Sequence, residues 1–138
     1  MPVFPSAEWI QEYCDRLAAH PDAAAVAQSL DGVYRFVIEP GGALREGQVH
    51  GVEIRPARGG AKVTPVGALN PADAQLSFSA SYPLWKQLVL GKLDLGLALM
   101  LRRVKVGGNL ASLTGRLSSA QPLLEALRAV DTVWLEDA

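Results

Sequence analysis

The sequence predicts an α+β domain: a five-stranded, mostly antiparallel sheet with helices packed on one of its faces. Three observations carry this. Apolar residues recur at three- and four-residue spacing near the N-terminus and again after residue 81. Between these stretches, four runs alternate apolar and polar residues with turn signals between them. A fifth alternating run, Arg102 to Gly107, then interrupts the second helical stretch. At 138 residues, with 49% hydrophobic and 20% charged residues, the chain reads as a single domain over residues 1–138 with enough material for one core.

The first helix is expected from Ser6, a good N-cap, with Trp9, Ile10, Tyr13, Cys14 and Leu17 on its apolar face. Pro21 ends it, because the residue before a proline is pushed out of the helical region. Asp22 can cap a second, alanine-rich helix through Leu30. Val33–Glu39, Val49–Arg55, Ala61–Val66 and Ala74–Ala80 read as strands of an antiparallel meander, with one face buried and one toward water. Ser81 can cap a helix through Leu90, with Pro83 tolerated in its first turn and Gly91 terminating it. Asp94 caps a short helix, Leu95–Leu101, which is apolar all round and therefore expected to be buried. After the fifth strand, Asn109 caps a further helix carrying Leu110, Leu113 and Leu117. Pro122 is read as interrupting the helical run before a last helix with Leu123, Leu124, Leu127 and Val130.

Composition excludes several functions. A formal net charge of −1 with dispersed Lys and Arg offers no basic stripe for nucleic acid. The apolar window 84–101 contains Lys86, Lys92 and Asp94, each costing about 2.5–3.5 kcal/mol at a bilayer centre, so it is not a membrane span. Cys14 is the only cysteine and forms no internal disulfide. The first residues lack a charged segment followed by an apolar run, so no secretory signal is expected and a cytoplasmic location is the default. His20 reads as a helix-end residue and His50 as a structural histidine on a strand face; neither has metal-ligand spacing. No phosphate-binding glycine loop or nucleophile–base set stands out, so no enzymatic activity, metal or cofactor is expected.

The stretch Leu84–Leu117 resembles the sterol carrier protein 2 family of lipid-binding domains. An apolar helix leads to Gly91-Lys92-Leu93, a second apolar helix follows, then the strand Arg103-Val104-Lys105-Val106, then Gly107-Gly108-Asn109 and leucines at helical spacing. Asp31-Gly32 before a strand, and Asn70-Pro71-Ala72-Asp73-Ala74 leading into Leu76-Ser77-Phe78-Ser79, are similar as well. Gly107 stands where the family usually has threonine, and the end Leu135-Glu136-Asp137-Ala138 is not the peroxisomal serine-lysine-leucine address. The resemblance implies a non-enzymatic domain holding a fatty acid, acyl-CoA, phospholipid or sterol-like lipid in a tunnel between sheet and helices.

The residues expected to face that space are Phe36, Ile38, Val52, Ile54, Leu76 and Phe78 from the sheet, with Trp85, Leu88, Leu97, Leu101, Leu113, Leu117, Leu124 and Leu127 from the helices. Read without the resemblance, a filled core explains them as well as a pocket does. Arg103, Lys105 or Arg116 could meet a headgroup at the mouth, and the helix Pro122–Val130 is the candidate lid. The expected partner is a hydrophobic small molecule or lipid, with transient membrane contact and a monomeric or homodimeric state. The alternative is a scaffold or accessory module, a homodimer or helix-binding groove assisting a lipid- or quinone-related enzyme.

Overall fold

The computed structural model describes residues 1–94, 97–98, 101–108 and 121–137. Its larger sheet contains β2 (Gly32–Glu39), β3 (Gln48–Ala57), β4 (Gly60–Gly67), β5 (Leu76–Ser81) and β6 (Lys105–Gly108), in the spatial order β4-β3-β2-β5-β6. Around it lie α1 (Ala7–Ala18), α2 (Ala23–Ser29), α3 (Tyr82–Val89) and α4 (Gln121–Ala129). Two short strands, β1 (Val3–Phe4) and β7 (Val133–Trp134), pair in parallel and clasp the two ends of the chain together.

The α+β architecture is as the alternation predicts, but the meander covers only three strands. β2, β3 and β4 are successive antiparallel neighbours; β5 then returns beside β2 and runs parallel to it, and β6 closes the edge antiparallel to β5. Alternation fixes which side chains share a face, not which strand is the neighbour. The crossing that permits the parallel pairing runs over the open side of the sheet. There Leu69 lies against Gly51, where a Cβ would come within 2.6 Å of the leucine side chain. Arg35 Nε donates to the Leu69 carbonyl at 2.8 Å. Gly51 is therefore required by close approach, and its replacement displaces the connection that carries the chain back to the sheet centre.

Helices cover the other face. α1 and α2 pack on β3 and β4, α3 on β2 and β5, and α4 lies against α1 and α3. Ser6 caps α1 by accepting from Trp9 N at 3.1 Å, and the five apolar residues at helical spacing are all buried. Asp22 makes no side-chain cap to α2; instead its N–H donates to His20 Nδ1 at 3.0 Å, so the histidine, not the aspartate, ties the start of this helix. Ser81 likewise makes no side-chain cap, although α3 begins where expected with Pro83 in its first turn. Gly91, at φ 76°, takes the left-handed conformation that ends α3. Pro122 lies in the first turn of α4, where a missing N–H is tolerated; the helical run expected before it lies outside the described residues.

The C-terminal end of α4 is fastened rather than free. Beyond the β1–β7 clasp, Trp9 Nε1 donates to Thr132 Oγ1 at 2.9 Å, Leu135 N donates to the Tyr82 hydroxyl at 3.1 Å, and Lys86 pairs with Glu136 at 2.7 Å. Phe4, Trp9, Tyr82 and Trp134 form an aromatic cluster beneath these bonds. The tail is thus part of the packed domain.

Two titratable side chains give direct checks of this packing. Cys14 is fully buried, and burial, with Asp15 beside it, pushes its thiol up to about 12. The reactive thiolate is therefore scarce at neutral pH. A thiol reagent in excess is expected to label Cys14 only at the rate at which the domain opens, and immediately in denaturant. His50 is half-buried on β3 with Nε2 2.7 Å from Gln48 Oε1, and burial holds its pKa below the ordinary value. The unfolded chain then takes up this proton more readily than the folded one. Stability is expected to fall as pH drops from about 6.5 toward the lowered folded value, and His50→Gln flattens that slope in denaturant titrations.

Candidate functional site

Between the helix layer and the sheet lies an apolar cavity of about 60 Å³. Its floor comes from alternate residues of adjacent strands: Tyr34 and Phe36 of β2, Val52 and Ile54 of β3, and Phe78 of β5. The register places these together, with Tyr34 opposite Val52 and Phe36 opposite Phe78, whose rings stack at 5.9 Å between centroids. Its roof comes from residues three or four apart on helices: Trp85 and Leu88 on α3, and Leu123, Leu124 and Leu127 on α4. Tyr13, Leu30 and Val104 complete the wall.

Among the described residues, each polar side-chain group on this wall has an internal partner. Tyr13 donates to the Leu123 carbonyl at 3.4 Å, Tyr34 to the Leu30 carbonyl at 2.8 Å, and Trp85 Nε1 to the Val37 carbonyl at 2.9 Å. Burial raises the Tyr13 phenol well above the ordinary tyrosine range, so it stays neutral. Such a lining gives water no partners and favours an apolar occupant. Among the described residues it supplies no nucleophile, general base or charge. Among the described residues, no group of three or more His, Cys, Asp or Glu could hold a metal ion.

A second, smaller void of about 10 Å³ adjoins the first, bounded by Phe4, Trp9, Ile10 and Ile38. Tyr13, Phe36, Trp85 and Leu127 line both spaces and so form the partition between them. Phe36 is the centre of that partition, edge-on to Tyr13 at 6.3 Å and to Trp85 at 5.8 Å.

Of the residues expected at the site, Phe36, Val52, Ile54, Phe78, Trp85, Leu88, Leu124 and Leu127 meet around the larger cavity, and Ile38 lines the smaller one. Leu76 is buried but borders neither. Leu97 and Leu101 do not face inward: they are 46% and 53% exposed. They lie four residues apart on the outside of a helical turn, joined by Leu101 N donating to the Leu97 carbonyl, while Ala98 takes the buried position. Leu113, Leu117 and Arg116 lie outside the described residues. Lys105 is held near Glu39 at 3.6 Å.

Sequence reasoning missed Tyr13, Leu30, Tyr34, Val104 and Leu123. Three of these had a readable signal: Tyr34 shares the parity of Phe36, Tyr13 lies on the apolar face of α1, and Leu123 adjoins Leu124. Leu30 and Val104 reach the wall through loop geometry that spacing does not encode.

The fold and the chain both have relatives. A conserved hypothetical protein of Thermus thermophilus is similar with a TM-score of 0.76 and 21% identity, covering 96% of this chain and 92% of that one. A crystal structure of sterol carrier protein 2 is similar with a TM-score of 0.75 and 21% identity, covering 91% and 97%. The palmitated SCP2L2 of Aedes aegypti is more distant, with a TM-score of 0.58, 15% identity and coverage of 88% and 94%. No curated protein sequence matches the chain. The model of the SCP-2 sterol transfer family matches residues 10–115, which span most of α1, all of α2 and α3, the five strands of the larger sheet and most of the cavity wall, but not α4; the chain belongs to that family.

Proposed function

We propose that the protein binds an acyl-chain or sterol-like lipid non-covalently in the cavity between sheet and helices, and hands it on without chemistry. The observation that carries this is the apolar cavity whose few polar groups are all turned to internal partners. That the distant Aedes aegypti relative is palmitated supports a fatty-acyl ligand here. Micromolar affinity needs about 8 kcal/mol, which corresponds to roughly 330 Å² of apolar burial at 25 cal/mol per Å² before association costs are met.

The cavity must widen to take such a ligand. An engineered cavity of about 150 Å³ takes up benzene, and this one measures about 60 Å³. Rotation of the Phe36 partition joins the two voids, and α4 supplies the movable roof. The C-terminal end of α4 is fastened by β7 and Thr132, so opening hinges near residues 130–132 and breaks the bond from Tyr13 to the Leu123 carbonyl in the first turn. Amides of α4 are expected to exchange with solvent more slowly once lipid is bound; equal protection with and without lipid contradicts the lid.

Native mass spectrometry of protein purified from its source, followed by solvent extraction, tests the reading. A co-purifying lipid of defined mass is the expected result. A bare polypeptide mass, together with no displacement of a fluorescent fatty acid by fatty acid, acyl-CoA, phospholipid or sterol, contradicts it. A homodimer with no lipid retained favours instead an interaction module.

A further inference from the structure

The open face of the sheet carries a second hollow, and it is polar. Strand parity separates it from the apolar cavity: Phe36 and Phe78 turn to the cavity, while Arg35, Ser77 and Ser79 turn the other way. The hollow measures about 340 Å³, within the range of about 300–1,000 Å³ that small-molecule sites occupy. Its floor is set by register. Arg35, Ser77 and Gly107 lie side by side on β2, β5 and β6, and in the next row Ser79 lies beside Lys105. Pro71 and Ala74, in the connection between β4 and β5, also border it.

The polar groups here are unspent. Ser77 is buried, at 8% exposure, yet its hydroxyl has no hydrogen-bond partner among the described residues. No fully buried side-chain atom among them lacks a partner, so this hydroxyl opens into the hollow. Arg35 Nε donates to the Leu69 carbonyl at 2.8 Å, which fixes the plane of the guanidinium. Its two terminal nitrogens have no partner among the described residues. The Lys105 side chain is 73% exposed and lies 3.6 Å from Glu39, an exposed pair of small worth that leaves the ammonium free to turn. No carboxylate lines the hollow among the described residues. Gly107 keeps it open. A Cβ there would make only ordinary contact with Ser77, at 3.7 Å, and its backbone is not left-handed. Its neighbour Gly108 differs, with φ 99° and a Cβ that would collide with the Gln75 carbonyl. The fold therefore demands glycine at 108 but not at 107, where its effect is to leave space.

We propose that this hollow binds the phosphate group of a small phosphorylated molecule. Two cations match the charge of about −1.5 to −2 that a phosphate monoester carries at pH 7. The Arg35 fork takes two of its oxygens, and the Ser77 and Ser79 hydroxyls donate to the third. A carboxylate, with one charge and two oxygens, leaves part of this donor set unused. The sheet lies between this site and the apolar cavity, so the inference does not rest on the lipid-binding reading, and both sites can be filled at once.

Titration of the isotope-labelled full chain, followed through the amide resonances of Ser77, Ser79 and Gly107, tests it. The probes are glycerol phosphate, inorganic phosphate and acetate at matched ionic strength. Saturable shifts are expected with glycerol phosphate and none with acetate. Gly107→Glu places a carboxylate in the hollow without touching the bond from Arg35 to Leu69, and is expected to weaken binding at least about tenfold. Arg35→Lys keeps the charge but loses the fork, and is expected to do the same. Lys105→Gln removes the second cation from an exposed side chain and is expected to weaken binding several-fold. Thermal melting confirms that each variant is folded; should Arg35→Lys fail to fold, the other two decide. No saturable shift, equal response to acetate, or binding of inorganic phosphate alone overturns the proposal. So does unchanged affinity in both Gly107→Glu and Lys105→Gln.

Discussion

Trp85→Ala is expected to lower folding stability by about 3–5 kcal/mol, a large share of the roughly 5–15 kcal/mol available to a domain. Trp85 is 5% exposed, borders both voids, and ties α3 to the sheet through its bond to the Val37 carbonyl. Its removal joins the two spaces and leaves that carbonyl without its donor. The melting temperature should drop on the order of 10 °C, with the change in denaturant midpoint measured in parallel. Because the new space is apolar, indole or benzene should restore part of the loss in proportion to its concentration. Trp85→Phe keeps most of the packing but not the bond, and should cost about 1–3 kcal/mol. Equal losses for the two variants would mean that the bond, and not the volume, dominates.

The second large effect concerns binding rather than stability. Val104→Trp places an indole in the 60 Å³ cavity from a wall residue that is 3% exposed. Overpacking of this kind costs about 1–3 kcal/mol, so most of the chain remains folded. Binding of a fluorescent fatty acid, measured by titration, should weaken at least about tenfold, because the acyl chain and the indole compete for one space. Ser79→Trp, on the opposite face of β5 from Phe78, serves as a control and should leave affinity unchanged. If both substitutions leave affinity intact, the ligand lies elsewhere.

Much of this architecture is legible in the sequence, for a physical reason: period-two alternation and helical spacing report which side chains must leave water. Phe36, Val52, Ile54 and Phe78 can be assigned to one face before any coordinates, as can the buried face of α1. What spacing does not report is long-range partnership. β5 alternates as clearly as any strand, yet nothing local says that it lies parallel to β2 rather than antiparallel to β4. The β1–β7 clasp involves two residues on each side and carries no periodic signal. The turn holding Leu97 and Leu101 shows the opposite error. A run of apolar residues suggests burial all round, but Leu97 and Leu101 are exposed while Ala98 is buried. The two leucines left outside, next to Arg102 and Arg103, are informative because they break the rule.

The most direct test of the central claim is to locate the ligand by NMR, with isotope-labelled protein and unlabelled palmitate at saturation. Intermolecular nuclear Overhauser effects should connect the acyl chain to the methyl groups of Leu88 on α3, Val104 in the segment before β6 and Leu127 on α4, which meet around the cavity. Effects confined to Leu97 and Leu101 on the outer surface, or none at saturation, would contradict an internal lipid site.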